Sequence, residues 1–108
     1  MVDLIVIDRF QKEAGEWAKK TFPNATLGSR LNHLRSELIE IEFKPQDALE
    51  WGDAYLLFQQ AALAEGFTMT AVFSAARRKQ DINEQRKWGK PNKDGFSEHV
   101  KSPDVRKD

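Results

Sequence analysis

The sequence predicts an all-α protein, a four-helix bundle with an extended C-terminal tail. Three observations point to this fold class. Apolar residues recur at spacings of three and four along most of the chain, which is the period of an amphipathic helix. Glycine and proline divide this pattern into four stretches. Strand patterns are nearly absent: residues 2–7 can form a short extended segment, but a single strand cannot form a sheet.

The first two helices are predicted over residues 8–22 and 29–43. Pro23 ends the first helix. Its apolar stripe consists of Phe10, Ala14, Trp17 and Ala18. Along the second helix the apolar spacing alternates between four and three, as in a seam between packed helices. The residues of this seam are Leu27, Leu31, Leu34, Leu38 and Ile41.

The third helix is predicted over residues 47–65 and the fourth over residues 68–88, with Gly66 as the cap between them. The segment from Ala54 to Ala64 is apolar nearly all round, so it must be buried on several sides. From Gly89 onward the chain is polar and rich in turn-forming residues, which predicts a tail over residues 89–108. We therefore expect a single domain over residues 1–108, with a helical core at about 8–88.

The composition limits the classes of protein to which the chain can belong. A chain of 108 residues buries a modest core, so we expect a homo-oligomer, a dimer or tetramer, with the third helix central to it. The chain has 17 basic and 17 acidic residues, which does not favour a nucleic-acid partner. The absence of cysteine excludes disulfides and thiolate chemistry. No apolar run is long enough for a signal peptide or a membrane span, so we expect a cytoplasmic protein.

Two acidic pairs flank the connection between the second and third helices. Glu37 and Glu40 are three residues apart, and so are Glu50 and Asp53. Residues three apart share a helix face, and a short connection makes the helices antiparallel, so the pairs should face each other. Four converging carboxylates repel one another unless cations bind between them. Oxygen ligands favour hard ions, so the expected cofactor is Mg²⁺, with Mn²⁺ as a substitute.

Other interpretations of these acids stay open. Acidic residues on helices commonly form a solvated face, and Glu37 can pair with Arg30 or Arg35 in water. Asp47 and Glu50 have the spacing of a capping box, in which Glu50 would serve the helix terminus instead of an ion.

The surroundings of the pairs also bear on the metal site. Asp53 lies where the third helix becomes apolar all round, so it is expected to be buried, and a buried carboxylate needs a cation or strong donors. His33 lies one turn before Glu37, which keeps a histidine–carboxylate site as an alternative.

The order Glu37-x-x-Glu40, then Glu50-x-x-Asp53, resembles the metal motif of the all-α nucleotide pyrophosphohydrolases, which include MazG, its relatives and the dimeric dUTPases. The phage and bacterial dATP/dGTP pyrophosphohydrolase domains are the more similar branch. The chain differs from MazG proper at Ser36, where a second acidic residue usually opens the motif. The other shared residues are Phe10-Gln11, Trp17, Thr21-Phe22, Gly28, His33-Leu34, Asp47, Trp51, Gly66, Lys79, Asn83, Arg86, Trp88 and Glu98-His99.

The resemblance implies an enzyme that uses Mg²⁺ to hydrolyse a nucleoside triphosphate, with dATP and dGTP as expected substrates, to the monophosphate and pyrophosphate. It implies that the four acids bind the ions and that Glu37 or Glu40 accepts the proton of the attacking water. The expected substrate-binding residues are Lys79, Asn83, Arg86, Trp88, Asn32 and His33. Two alternatives stay open: Trp88 can equally anchor the tail to the core, and His33 can be a structural donor instead of a ligand. Lys79, Asn83 and Arg86 share a face of the fourth helix and suit phosphate oxygens, although cations near a helix C-terminus also favour its dipole.

Two alternatives to an enzyme stay open. A non-enzymatic helical dimerisation or interaction module also explains the apolar third helix, and indifference to chelators would identify it. A nucleic-acid-binding helical protein can use the basic residues of the fourth helix, although the balanced charge of the chain argues against it.

Overall fold

The computed structural model describes residues 3–86, 89 and 91, and four α-helices lie in this range. They are α1 (Leu4–Thr21), α2 (Leu27–Phe43), α3 (Ala48–Ala64) and α4 (Met69–Gln85). The predicted all-α class is confirmed. Within the described part of the chain, no helix is long and apolar enough to cross a membrane. The chain divides into two compact units, Met1–Phe73 and Ser74–Asp108, with the boundary inside α4.

The N-terminus differs from the sequence-based expectation. The extended segment expected over residues 2–7 is wrong, because α1 already begins at Leu4. Asp3 is its N-cap, and the Asp3 carboxylate accepts a hydrogen bond of 2.8 Å from the backbone N–H of Ile5. The β-branched residues that resembled a strand therefore occupy the first helical turn, where an N-cap satisfies the otherwise unpaired amide.

The start of α2 is fixed by a reciprocal pair of hydrogen bonds that the sequence pattern did not reveal. The backbone N–H of Ser29 donates to Thr26 Oγ1 over 3.1 Å, and the backbone N–H of Thr26 donates to Ser29 Oγ over 2.8 Å. This capping box places the first helical residue at Leu27, two residues before the predicted start.

Helix α3 is the central element of the first unit, because it packs against both α1 and α2. Its contact with α1 is close: a Cβ on Gly15 would lie only 2.9 Å from Leu63 Cδ2. The prediction that α3 is buried on several sides is confirmed only in part. Ala54 and Ala61 are buried, whereas a row of aromatic side chains is exposed in this chain. This row, called here the α3 aromatic face, consists of Trp51, Tyr55 and Phe58.

The end of α3 follows the predicted glycine cap. Gly66 has φ +95°, a left-handed conformation that favours glycine. The N–H of Phe67 donates to the Ala62 carbonyl and the N–H of Gly66 to the Leu63 carbonyl, each over 2.9 Å. These are the two hydrogen bonds of a Schellman motif, which ends a helix while satisfying its last carbonyls.

The fully buried Gln11 joins α1 to the segment after α3. Its Nε2 donates to the Gln59 carbonyl over 2.9 Å and to the Phe67 carbonyl over 3.0 Å. Its Oε1 accepts a hydrogen bond of 2.9 Å from the backbone N–H of Met69, the first residue of α4. One side chain thus connects three parts of the first unit.

The next amides of α4 also find partners. Asp8 accepts 2.9 Å and 2.6 Å hydrogen bonds from the backbone N–H and hydroxyl of Thr70. The N–H of Ala71 donates to Thr68 Oγ1 over 3.1 Å, and the N–H of Val72 donates to the Thr68 carbonyl. A helix start leaves four amides unpaired. Here α1 satisfies the amides of Met69 and Thr70, and the Thr68 hydroxyl satisfies that of Ala71. The bond from Val72 to the Thr68 carbonyl is the first regular hydrogen bond of the helix.

Candidate functional site

Three of the four predicted carboxylates converge between α2 and α3. One oxygen from each of Glu37, Glu50 and Asp53 lies within 4.8 Å of the others. The helices that carry them are joined by a short turn, in which the Trp51 indole N–H donates to the Pro45 carbonyl over 3.0 Å. This contact fixes the turn directly beside Glu50 and Asp53. We call the three residues the acidic cluster.

The negative charges of the acidic cluster lie close together and repel one another. Partial loss of water around Glu50 raises the pKa of its carboxyl above the ordinary value. The charge of Lys44 opposes this shift, while the negative charges of Glu40, Asp47 and Asp53 add to it. A cation bound at the cluster would relieve this repulsion.

The capping-box alternative for Glu50 is not formed. Asp47 does cap α3, since its carboxylate accepts a 3.0 Å hydrogen bond from the backbone N–H of Leu49. However, the backbone N–H of Asp47, which Glu50 would need as a donor, is bonded to the Lys44 carbonyl over 3.1 Å. The Glu50 carboxylate is therefore available to the acidic cluster.

The expected burial of Asp53 is wrong. Asp53 is exposed, because it lies at the edge of a cleft instead of among the apolar residues of α3. The more enclosed carboxylate is that of Glu37, whose side chain is 18% exposed. His33 Nε2 lies 3.5 Å from Glu37 Oε1, so the predicted neighbour one turn away does contact this carboxylate. Glu37 pairs with His33 and not with Arg35, which donates to Asn32 Oδ1 instead.

A cleft of about 600 Å³ opens beside the acidic cluster, within the first unit. Glu37 and Asp53 form part of its wall. Its other lining residues are Trp17, Ala18, Phe22, Pro23, Asn24, Ala25, Ser29, Arg30, His33, Leu56, Leu57 and Gln60. The volume is within the range of small-molecule sites, and the mixture of an apolar wall with a few polar groups is typical of them.

Sequence reasoning did not identify several of the residues that line this cleft. Trp17 was assigned to the apolar stripe of α1, yet it is 61% exposed and its ring meets that of Phe22 edge to face, with centroids 5.8 Å apart. Arg30 was considered only as a partner of Glu37, and Gln60 was not singled out. An aromatic residue followed closely by Phe-Pro-Asn at a helix end was the available signal.

The other predicted site residues lie in different places. Glu40 is not part of the acidic cluster, although its charge acts on Glu50. Asn32 is exposed on α2 and accepts the hydrogen bond from Arg35. In the second unit, Lys79, Asn83 and Arg86 are half-buried, and Arg86 donates to Asn83 Oδ1 over 3.1 Å. Trp88 lies outside the described residues.

The fold and the acidic cluster define the class of protein. The structure is similar to a cyanophage S-2L MazG-like pyrophosphohydrolase, which is bound to dGDP and three catalytic Mn²⁺ ions per active site. The TM-score is 0.75 and the identity 25%, over 94% of this chain and 100% of the other. The fold is thus the MazG-like all-α fold.

The family follows from the sequence itself. A model of the dATP/dGTP pyrophosphohydrolase family matches residues 9–106, so the chain belongs to this family. A dATP/dGTP diphosphohydrolase of Salmonella phage PMBT28 is 34% identical to it over 91 residues, which is 83% of this chain. The chain spans only 30% of that relative's length. The resemblance found in the sequence is confirmed.

Proposed function

We propose that this protein is a Mg²⁺-dependent nucleoside triphosphate pyrophosphohydrolase that acts on purine deoxynucleotides and releases the monophosphate and pyrophosphate. The observation that carries the proposal is the convergence of Glu37, Glu50 and Asp53 beside a cleft large enough for a nucleotide, with Glu37 and Asp53 in its wall. Membership of the dATP/dGTP pyrophosphohydrolase family and similarity to a dGDP-bound protein support the substrate class.

The donor set fits a hard divalent cation. The acidic cluster offers only carboxylate oxygens, which suit Mg²⁺ and Mn²⁺. Glu37, Glu50 and Asp53 would hold the ion, and Glu40 is the candidate for a further ligand because its charge already acts on Glu50. A bound ion would offset the charge of the triphosphate and polarise its phosphoryl oxygens.

Glu37 is the best candidate for the general base, because it is the most enclosed carboxylate that lines the cleft and it contacts His33. It would accept a proton from the water whose oxygen forms a bond to the α-phosphorus. The bond from that phosphorus to the pyrophosphate oxygen then breaks. Glu40 is the second candidate for this role. His33 would hold the Glu37 carboxylate in place.

Three residues of the second unit are proposed to bind phosphate oxygens of the substrate. Lys79 and Asn83 lie four residues apart on α4, so they share one face of this helix, and Arg86 directly follows the helix and donates to Asn83 Oδ1. Their cationic and amide groups suit phosphate oxygens. Trp88 is proposed to stack on the base.

The test is a panel of the eight common ribo- and deoxynucleoside triphosphates with Mg²⁺, with the products separated by chromatography. We expect dATP and dGTP to give monophosphate and pyrophosphate, and a chelator to stop the reaction. Inorganic phosphate as the first product would refute the reaction, whereas equal turnover of all bases would refute only the specificity.

The α3 aromatic face favours one alternative, a non-enzymatic interaction module, because exposed aromatic residues commonly bind another protein surface. Such a module gives no reason for three carboxylates to converge at a cleft. A protein that hydrolyses no triphosphate, and whose melting temperature is the same in Mg²⁺ and in chelator, would establish the module instead.

A further inference from the structure

The cleft beside the acidic cluster has two chemically different ends. Along α2, Arg30, His33 and Glu37 all line it, at positions i, i+3 and i+7. Seven residues of helix span about 10 Å, so Arg30 lies two turns from the acidic cluster. Along the antiparallel α3, Asp53 and Gln60 also line the cleft and are seven residues apart. Asp53 is next to Glu37, so Gln60 lies at the Arg30 end.

The aromatic residues that line the cleft also lie at the Arg30 end. Phe22, Pro23 and Asn24 belong to the connection that leads into α2, whose first residue is Leu27. Trp17, one turn before the end of α1, meets Phe22 edge to face at an interplanar angle of 84°. This end of the cleft thus combines flat apolar surfaces with one cation and two amides. We call it the aromatic end.

Two polar groups at the aromatic end have no partner among the residues that the structure describes. Arg30 and Gln60 are half-buried, and neither side chain forms a hydrogen bond or ion pair with any residue in the range that the structure describes. The guanidinium of Arg30 is therefore available to an acceptor that a ligand supplies. The five N–H donors of arginine form a planar fork that suits two acceptors side by side.

We propose that the aromatic end binds the nucleobase and that Arg30 selects guanine over adenine, an inference that rests on the proposed function. If the acidic cluster holds the phosphate groups, the base occupies the cleft away from it. The O6 and N7 atoms of guanine are adjacent acceptors for an arginine fork. Adenine presents one acceptor, N7, beside an amino donor that arginine cannot satisfy. Trp17 and Phe22 supply the surface on which the ring packs.

The first test compares dGTP with dATP in Arg30→Met. This variant keeps much of the aliphatic stem and removes the donors. We expect kcat/KM for dGTP to fall roughly tenfold to a hundredfold, and kcat/KM for dATP to change less than about threefold. In 7-deaza-dGTP a carbon replaces N7, so we expect it to be a poorer substrate than dGTP for the wild type but not for Arg30→Met.

The matched control is Arg35→Met. Arg35 lies on the same helix, but its guanidinium is bonded to the exposed Asn32. Its loss should leave the dGTP-to-dATP ratio unchanged. Arg30 also borders a second cleft with Lys12 and Lys19, where it could contact an anion. Equal losses for dGTP, dATP and 7-deaza-dGTP would therefore assign Arg30 to phosphate and overturn the proposal, as would no loss at all.

A binding measurement separates this inference from the proposed reaction. Calorimetric titration with dGMP and with dAMP in Mg²⁺ requires no turnover. We expect the wild type to bind dGMP more tightly than dAMP and Arg30→Met to lose this preference. If the wild type binds both with equal affinity while hydrolysing dATP and dGTP, the inference is wrong and the reaction stands. If it shows the preference but hydrolyses neither, the inference stands and the reaction is wrong.

Discussion

At the scale of single residues, Asp53 provides the most direct test of the acidic cluster. We expect Asp53→Asn to abolish triphosphate hydrolysis while leaving the metal-free protein at least as stable as the wild type, because one of three mutually repelling charges is removed. With Mg²⁺ the order should reverse, since the wild type gains stability by binding the ion and the variant has lost a ligand. Thermal unfolding in excess Mg²⁺ and in chelator measures both effects.

The control for this experiment is Glu42→Gln. Glu42 is an exposed acid on α2 outside the acidic cluster, so its neutralisation should change neither hydrolysis nor the response of stability to Mg²⁺. The metal site would be contradicted if Mg²⁺ leaves the melting temperature of the wild type unchanged and Asp53→Asn still hydrolyses triphosphate.

Gln11 is a structural residue, in contrast to Asp53. We expect Gln11→Ala to lower the free energy of unfolding by about 2–4 kcal/mol, because three hydrogen bonds are lost, the amide of Met69 stays buried without an acceptor, and a cavity forms. Urea unfolding at matched protein concentration measures the change. Gln46→Ala, in the exposed turn between α2 and α3, should stay within about 0.5 kcal/mol of the wild type.

These residues also mark how much of the site the sequence could predict. Glu37, Glu50 and Asp53 were found because helical spacing and a short turn determine which side chains converge, and both are local properties. The contacts of Gln11 were not found, because its partners lie 48 to 58 positions away in the chain. Arg30 was missed for a similar reason, since the cleft that it lines also needs residues of α1 and α3.

At the scale of helices, the ends were predicted better than the starts. The expected ends at residues 22, 43 and 65 lie within one residue of Thr21, Phe43 and Ala64, because proline and glycine act on the backbone directly. The start of α1 was missed, since a single Asp3 cap outweighed the strand-like residues that follow it.

Two glycines test this explanation of helix ends, because one has a left-handed backbone conformation and the other lies inside a helix. We expect Gly66→Ala to destabilise the protein by about 1–2 kcal/mol, because Gly66 has φ +95° in the Schellman motif. Gly52→Ala should stabilise it by roughly 0.5–1 kcal/mol, since Gly52 is inside α3 and an added Cβ meets nothing within 4 Å. Chemical denaturation of both variants tests the pair, and a change of the same sign in both would contradict the explanation.

At the scale of the whole molecule, we expect the protein to assemble into a dimer or tetramer through α3. Trp51, Tyr55 and Phe58 of the α3 aromatic face are 55%, 41% and 44% exposed in the single chain. Aromatic surface of this kind is commonly covered by a second subunit. Light scattering at micromolar concentration should therefore give a mass above that of one chain, and Phe58→Glu should lower it.

Ala64→Glu is the control, because it adds the same charge to the exposed end of the same helix. It should leave the mass of the wild type unchanged. A wild type that is a compact monomer would contradict the expectation, whatever the variants do.

The hydrogen bonds of Gln11 also have a consequence for the order of folding. The short turn between α2 and α3 allows these helices to pair early, because closing a short loop requires little loss of chain entropy. Gln11 joins segments 48 to 58 residues apart, so its contacts should form after the transition state. In stopped-flow measurements, Gln11→Ala should therefore speed unfolding strongly and slow refolding little. The contacts of the side chain that joins α1 to the start of α4 would then form last in folding and break first in unfolding. Their main kinetic effect would be to slow the unfolding of the native state.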